Sequence, residues 1–377
     1  RSLPIMLLDS ARIQEEDAAY KKKRHLKEGR RGPYPEIPLY TVSDAELVFP
    51  LVQKIPYEQE IELFNGLSVR FHDAGHIIGA AMIEVKLNLD GVTRKIIFSG
   101  DIGQWHKPIV RDPSVFFQAD YIVMESTYGD RNHEDEGSIP ELLAQVVQET
   151  VSKGGKLVIP TFAVERAQEL LFHFSRLVRG GKIPTLPLFL DSPMAVDVTE
   201  VFLRNTAIMD RETRQLFAEN ESPFRFPGLR FVRTVDESKA INEVKGPCII
   251  MAGSGMCTGG RIKHHLVHNI SRPESTILFV GYQARGTLGR LIVEGREEVR
   301  IHGVYRPVRA QIRQIHGFSA HADRTALLKW LDFLRQPPRK VFLVHGEEEA
   351  IKSLGQEIDN KGWSLAIPSY QEEFHLD

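Results

Sequence analysis

Two cysteines, Cys248 and Cys257, are the only thiols in the 377-residue chain. That excludes a disulfide scaffold and a zinc site built from thiolates, and it fits a reducing, cytoplasmic setting. An excess of one charge is also missing: 48 Lys and Arg stand against 50 Asp and Glu, a net of −2. No global basic field therefore advertises a nucleic acid, and any polyanion site has to be a local patch. There is no apolar run long enough to span a bilayer, no signal peptide, no fixed-period repeat and no low-complexity tract. A membrane protein, a secreted disulfide knot and a solenoid drop out together. What is present is 42% hydrophobic and 26% charged, the composition of a soluble globular chain, and its length exceeds what one core usually holds. Two domains are expected. The first residue is Arg1 rather than Met, so a longer parent chain is expected as well.

The N-terminal stretch through "AAYKKKRHLKEGRRGPYP" reads as a helix running into a basic linker broken by Gly and Pro, its charge run a solvated face. "SDAELVFPLV" reads as a helix capped by Ser43, with Glu46 completing a capping box. "IELFNGLSVRFHDAGH" and "AAMIEVKLNLDGVTRKIIFSGD" read as strands joined by turns at Asn65-Gly66 and Asp90-Gly91. From Ala119 on, one unit recurs: a short apolar strand, a Gly- or Ser-rich loop, an amphipathic helix. "KLVIPTFAVERAQELLFHF", "LPLFLDSPMAVDVTEVF", "PCIIMAGSGMCTGGRIKHHL", "TILFVGYQARGTLGRLI" and "KVFLVHGEEEAIKSLGQEI" all follow it. Alternating strand and helix implies α/β layers with mainly parallel strands, whose ligands sit off the carboxyl ends of the strands. "HEDEGSIP" and the segment near "AENESPFRFPG" read as surface loops.

The polar residues concentrate at those strand ends. His76 in "DAGH", Asp101 in "FSGD", Glu125 in "VMESTYGD", His321 in "GFSAHAD" and His345 in "FLVHGE" each follow an extended segment and open into small residues. Singly, each would be a cap or a turn residue. Ser319 or Asp323 suffices to cap the helix after "GFSAHAD", which leaves His321 without a structural task. The strand before it, Arg309–Ile315, carries Arg309, Gln311, Arg313 and Gln314 and is not plainly apolar. Histidine with carboxylate and no thiolate is the ligand set of a hydrolytic zinc site, and two-metal sites commonly share a bridging carboxylate.

"DAGHIIGAA", "FSGDIG", "ESTYGDR", "PTFAVERAQEL", "LDSPMA", "AGSGMCTGGRIKHHL", "VGYQARGTLGR", "GFSAHAD" and "LVHGEEE", in this order, resemble the β-CASP branch of the metallo-β-lactamase superfamily. Within it, the chain is similar to bacterial and archaeal relatives of the endonuclease subunit of the cleavage and polyadenylation specificity factor. The likeness runs essentially end to end. It implies a metallo-β-lactamase αβ/βα sandwich, here N-terminally incomplete, at 1–126 and 309–377, with an inserted α/β β-CASP domain at 127–308. By the same resemblance His76, Asp101 and His345 are zinc ligands and Asp101 bridges two zinc ions. Glu125 and His321 form a pair that orients the His321 imidazole toward the leaving group, with His321 as general acid or phosphate-facing donor.

The implied activity is a zinc-dependent hydrolase of single-stranded RNA, an endoribonuclease acting through metal-activated hydroxide, with 5′-exonuclease activity as the close relative. Contacts to the RNA phosphates are expected from Arg166, Arg261, Lys263, Arg285 and Arg290, from the loop holding Ser254 and Gly255, and from Ser319. The family's H-x-H-x-D-H signature is absent. The remaining ligands are then expected from an upstream segment of about 30 residues or more, or from a second chain, and this chain alone is expected to be inactive. A homodimer is left open.

Two other classes compete. A non-catalytic RNA-binding or scaffold subunit would have no reason to keep all five strand-end residues. A serine hydrolase would use Ser319, Asp332 and His345, which fall in the right order, but "GFSAH" lacks the final glycine of a nucleophile elbow. "HHLVH" (His264, His265, His268) has i, i+4 spacing but lies in a segment the family does not use for metal.

Overall fold

The computed structural model describes residues 2–32, 34–89, 91–133 and 139–376. Of the sequence expectations, the aspartate of the Asp90-Gly91 turn and the middle of "HEDEGSIP" lie outside these residues. Along the chain come β1 (Glu60–Phe64), β2 (Leu67–Asp73), β3 (Ala81–Leu89), β4 (Val92–Phe98) and β5 (Tyr121–Glu125). They are followed by β6 (Leu157–Pro160), β7 (Leu188–Asp191), β8 (Leu229–Phe231), β9 (Ile249–Ala252) and β10 (Thr276–Phe279). The chain continues with the hairpin β11 (Glu298–Ile301) and β12 (Val304–Pro307), then β13 (Gln311–Gln314), β14 (Lys340–Val344) and β15 (Leu365–Ala366). Two large sheets result, with orders β1-β2-β3-β4-β5-β14-β15 and β13-β10-β6-β9-β7-β8. The α/β class and the mainly parallel strands follow the sequence reading: every pairing in the second sheet is parallel, as are β4–β5, β5–β14 and β14–β15.

The second sheet is covered on both faces, which is why its strands are unbroken apolar runs. Leu157 and Ile159 point into one cluster with helices Ile139–Ser152, Arg166–Arg179 and Pro193–Arg204. Val158, between them, points into the other with Ile262–Asn269 and Leu288–Val293. The return to the first lobe comes later than position 309: β13 pairs with β10 in the second sheet, Thr276 opposite Gln311 through Phe279 opposite Gln314. Its polar residues are those of an edge strand.

The first sheet is covered differently. Ile97, Ile122, Met124, Val341 and Leu343 meet helices Arg324–Leu331 and Glu348–Asn360. On the opposite face Val69, Phe71, Ile83, Val85 and Ile96 are only half-buried and join none of the three apolar clusters. Toward the helix side β2 and β3 instead send His72 and Glu84, both buried. Glu84 accepts a hydrogen bond from His72 Nε2 at 3.1 Å, and Lys95 lies 3.3 Å from its other oxygen.

At the N-terminus the helix Ser2–Lys27 forms as read, and it packs on Pro193–Arg204 of the second lobe rather than on the first. The next helix, Val42–Val48, is capped two residues earlier than expected. Thr41 accepts from the Asp44 N–H and Asp44 Oδ2 accepts from the Thr41 N–H at 2.8 Å, so the capping box is Thr41/Asp44, not Ser43/Glu46. No helix among the described residues is long and apolar enough to cross a membrane.

The hydrogen bond from His72 outweighs the burial of Glu84, and with Lys95 it draws the carboxyl down from 4.5 to about 2. A depressed carboxyl contributes stability above its unfolded pKa and loses it as pH falls through the folded one. Glu84→Gln should therefore cost about 1–3 kcal/mol at neutral pH, and the gap to the wild type should close between about pH 4.5 and about pH 2. Urea unfolding across that range checks it.

Candidate metal and catalytic centre

All five strand-end residues meet at the carboxyl ends of first-sheet strands, on loops that follow β2, β4, β5 and β14 of that sheet and β13 of the second. The loops are stitched by backbone bonds. Gly103 N–H donates to Ala74 O at 2.8 Å, Gln104 N–H to Ala320 O at 3.1 Å and Ala322 N–H to Ile102 O at 2.7 Å. Gly103 has to be glycine, because a Cβ there would stand 1.9 Å from Gly75 O. That close approach brings the Asp101 loop onto the His76 loop. His345 sits just past β14 at φ +50°, an unusual conformation for a side-chain-bearing residue, and it is held where the chain turns into the next helix.

Asp101 lies between two imidazoles. One of its oxygens is 3.7 Å from His76 Nε2 and the other 3.4 Å from His345 Nδ1. His321 lies beside His76 with ring centroids 4.4 Å apart and the ring planes tilted by 55°. Its Nδ1 lies 3.0 and 3.2 Å from the two Glu125 oxygens. Glu125 is 1% exposed and fully engaged: Ile102 N–H, Thr127 Oγ1 and His321 all donate to it. Donor atoms of His76, Asp101 and His321 converge within 4.8 Å, and so do those of Asp101, Glu125 and His345. Nitrogen and oxygen donors with no thiol nearby suit zinc or a similar divalent ion.

The two central histidines diverge. Burial, and then the positive charge His321 would carry, push His76 below the usual imidazole range. Burial acts on His321 in the same direction, but its hydrogen bond and charge attraction to Glu125 outweigh it and raise its pKa. A neutral imidazole keeps a lone pair for a metal; a charged one holds a proton to give.

The residues open onto a cleft of about 780 Å³ between the lobes, lined by His76, Tyr128, Phe162, Arg166, Tyr282, Arg290, Ser319 and His321 among others. Ser319, Arg166 and Arg290 are thus among the cleft's lining residues. Arg166 is committed below the surface, however: it donates to Val280 O, pairs with Glu169 and lies over the Phe318 ring. Gly255 is buried beneath Phe162, while Ser254 bonds within its own loop to the Gly259 N–H. Arg285 is exposed and Lys263 half-buried.

Arg261 turns away from the expected role. Its guanidinium donates to buried Asp191 at 2.6 Å and to Arg233 O at 2.6 Å, and the same carboxylate takes His265 Nε2 at 2.6 Å and Ser238 Oγ at 2.5 Å. This knot fixes the glycine loop before helix Ile262–Asn269. The HHLVH histidines disperse accordingly: His265 is buried in the knot, His264 stacks on His302 and His268 is exposed. The serine-hydrolase geometry is absent too, since Asp332 pairs with Lys361 and His345 with Asp101.

Missed by sequence reasoning were Thr127, which donates to Glu125 and lies 3.2 Å from His345 Nδ1, and His133, whose Nε2 lies 2.9 Å from His321 O. Lys107 was missed as well; it ties Glu169 to Gly317 O at 2.8 and 2.7 Å beneath the cleft. "ESTYGDR" contains Thr127, while His133 and Lys107 lie outside it and outside "PTFAVERAQEL"; nothing in the spacing assigns partners so distant in sequence.

Residues 167–292 match the Beta-Casp domain model, and residues 305–368 match that of the Zn-dependent metallo-hydrolase RNA specificity domain. A ribonuclease of Thermus thermophilus is 38% identical over 335 residues, 89% of this chain and 75% of that protein. A transcription termination factor FttA of Methanocaldococcus jannaschii is 34% identical over 85% of this chain and 51% of its own length. An RNase J-like protein of the same organism is 29% identical, with 88% and 75% covered. The chain thus spans about half the length of the termination factor and three quarters of the ribonuclease.

Asp191→Ala would strand Arg261 and His265 in the core and should cost about 3–5 kcal/mol in unfolding experiments. Asp191→Asn, which keeps the shape and an acceptor, should cost clearly less.

Proposed function

The chain belongs to the β-CASP family of metallo-β-lactamase-fold hydrolases, and from that membership we propose that it is a zinc-dependent ribonuclease cutting single-stranded RNA at internal positions. The observation that carries this reading is the convergence of His76, Asp101, Glu125, His321 and His345, with His76 and His321 lining a cleft between two lobes. The ribonuclease among its relatives supports the substrate class. A 5′-exonuclease mode uses the same centre with the RNA end seated in it.

In this reading His76, Asp101 and His345 would hold the metal, Asp101 facing an imidazole on each side. Zinc, when bound, supplies Lewis acidity toward the phosphate and lowers the pKa of a water molecule. Glu125 fixes the His321 tautomer by accepting from Nδ1, which leaves Nε2 to hold the proton that goes to the leaving oxygen. Water gives up a proton to solvent and its oxygen bonds to phosphorus, the bond from phosphorus to the leaving oxygen breaks, and His321 passes its proton to that oxygen and is then reprotonated from solvent. Thr127 keeps Glu125 and His345 in register from its place between them. Three ligand groups are too few to close two zinc sites, so the remaining ligands come from outside these 377 residues, in cis or from another chain.

Two experiments test the reading. The 377 residues alone should bind zinc weakly and leave RNA uncut; tight binding of two zinc ions with full cleavage would refute the ligand account. In an enzyme with its full ligand set, His321→Ala should slow cleavage by about 10²–10⁴ with zinc content unchanged. Metal analysis beside a single-turnover assay would decide it, because loss of zinc would make His321 a ligand instead of a proton donor.

A further inference from the structure

Phe162 and Tyr282 are large aromatic side chains that the fold leaves about half exposed, 43% and 50%, while both line the cleft. Exposed aromatics are ordinary when scattered, but these two are not scattered. Phe162 lies two residues past β6 and Tyr282 three residues past β10, and β6 and β10 are neighbouring parallel strands. Both rings therefore project from adjacent strand ends over the same opening that leads to His321.

The loops that carry them are tied to one another. The Phe162 ring lies on the bare face of Gly255, where a Cβ would stand only 2.8 Å from the ring. Gly255 is tied to the Tyr282 loop in turn, since the buried Gln283 amide donates to Gly255 O at 3.1 Å and Gly281 O at 3.2 Å. Gly281 lets Arg166 approach, with a Cβ only 3.1 Å from Nη1, and Arg166 holds the neighbouring Val280 carbonyl. Three strand-end loops are laced together beneath two rings that touch little else on their outer sides. Folding gains little from leaving such apolar faces in water. A ligand with flat, weakly polar faces gains from them at low ordering cost.

We infer that Phe162 and Tyr282 form a stacking platform for unpaired bases of the nucleic acid, the feature that makes this cleft prefer single strands. The inference rests on the RNA reading above and deepens it. Bases in a duplex are stacked on each other and cannot offer a face, whereas every unpaired base can, so the platform is tolerant of sequence. It complements the cationic residues of the cleft, which follow the backbone and carry the salt dependence.

The test uses the 377-residue chain with a chelator present, so that binding is read without cleavage. Affinity for a short oligouridylate, for the same length with abasic sites, and for a duplex is measured across a salt series. Phe162→Ala and Tyr282→Ala should each weaken single-strand binding about 10-fold, leave the salt slope and the melting temperature unchanged, and have little effect on the abasic strand. Phe162→Trp should bind as well as the wild type or better. Single-strand affinity within twofold of wild type in both alanine variants would overturn the platform while leaving the RNA reading standing. A wild-type chain that binds neither strand would overturn both.

Discussion

A buried ammonium group is central to the joint between the two lobes. Lys107, from the loop after β4, reaches beneath the cleft and donates to Glu169 of the second lobe and to the carbonyl of Gly317, four residues before His321. Both side chains are about 5% exposed, so water competes little for these bonds. A buried ion pair gains little net stability, but leaving either partner alone is costly. Opening the joint would do that to both. The position of His321 over His76 therefore depends on the lobes staying at one separation. The stitched loops Gly103–Ala74 and Ala322–Ile102 carry that constraint to the site itself.

The same joint sets the charge of the cleft floor. Lys107, Arg166 and Glu169 are packed with Glu165, whose carboxyl is buried at the turn into helix Arg166–Arg179 and accepts from the Ile78 N–H at 3.3 Å. Burial, and then the neighbouring Glu169, push Glu165 up to about 8. It is then mostly neutral near pH 7, and two cations face one anion. The surplus positive charge lies under the opening, where a phosphate chain would run. A chain with a net charge of −2 can thus attract a polyanion locally without a basic surface.

Much of this was legible from residue order alone. The strand–loop–helix units read from the sequence in the second lobe have four-residue, largely apolar strands, and the structure gives each of the four a strand, a loop and a helix. The strand-end positions of His76, Asp101, Glu125, His321 and His345 were legible for the same reason, because the end of a parallel strand is where polar side chains can gather. What could not be read was which distant residue answers each charge. Arg261 reads as a free cation on a glycine loop until Asp191, seventy positions earlier, is found buried beside it. Thr41 and Ser43 both begin acceptable capping patterns, and only the docking of helix Val42–Val48 against Ser2–Lys27 distinguishes them. The two faces of β2 and β3 were equally ambiguous. Their alternation is clear, but the polar face is the one that turns inward, because His72, Glu84 and Lys95 satisfy one another.

The site's division of labour follows from one carboxylate being buried and another not. Glu125 has no solvent to share its charge with and three donors pointing at it, His321 among them. Asp101 is about 41% exposed and stands 3.4 Å or more from the imidazoles on either side, close enough to converge on an ion but too far for strong hydrogen bonds. Two histidines with rings 4.4 Å apart are therefore driven opposite ways. His321 is claimed by a carboxylate, which raises its pKa, while burial and the charge of His321 lower that of His76. Pairs of like groups separated in this manner are how a site keeps a ligand and a proton donor side by side at one pH.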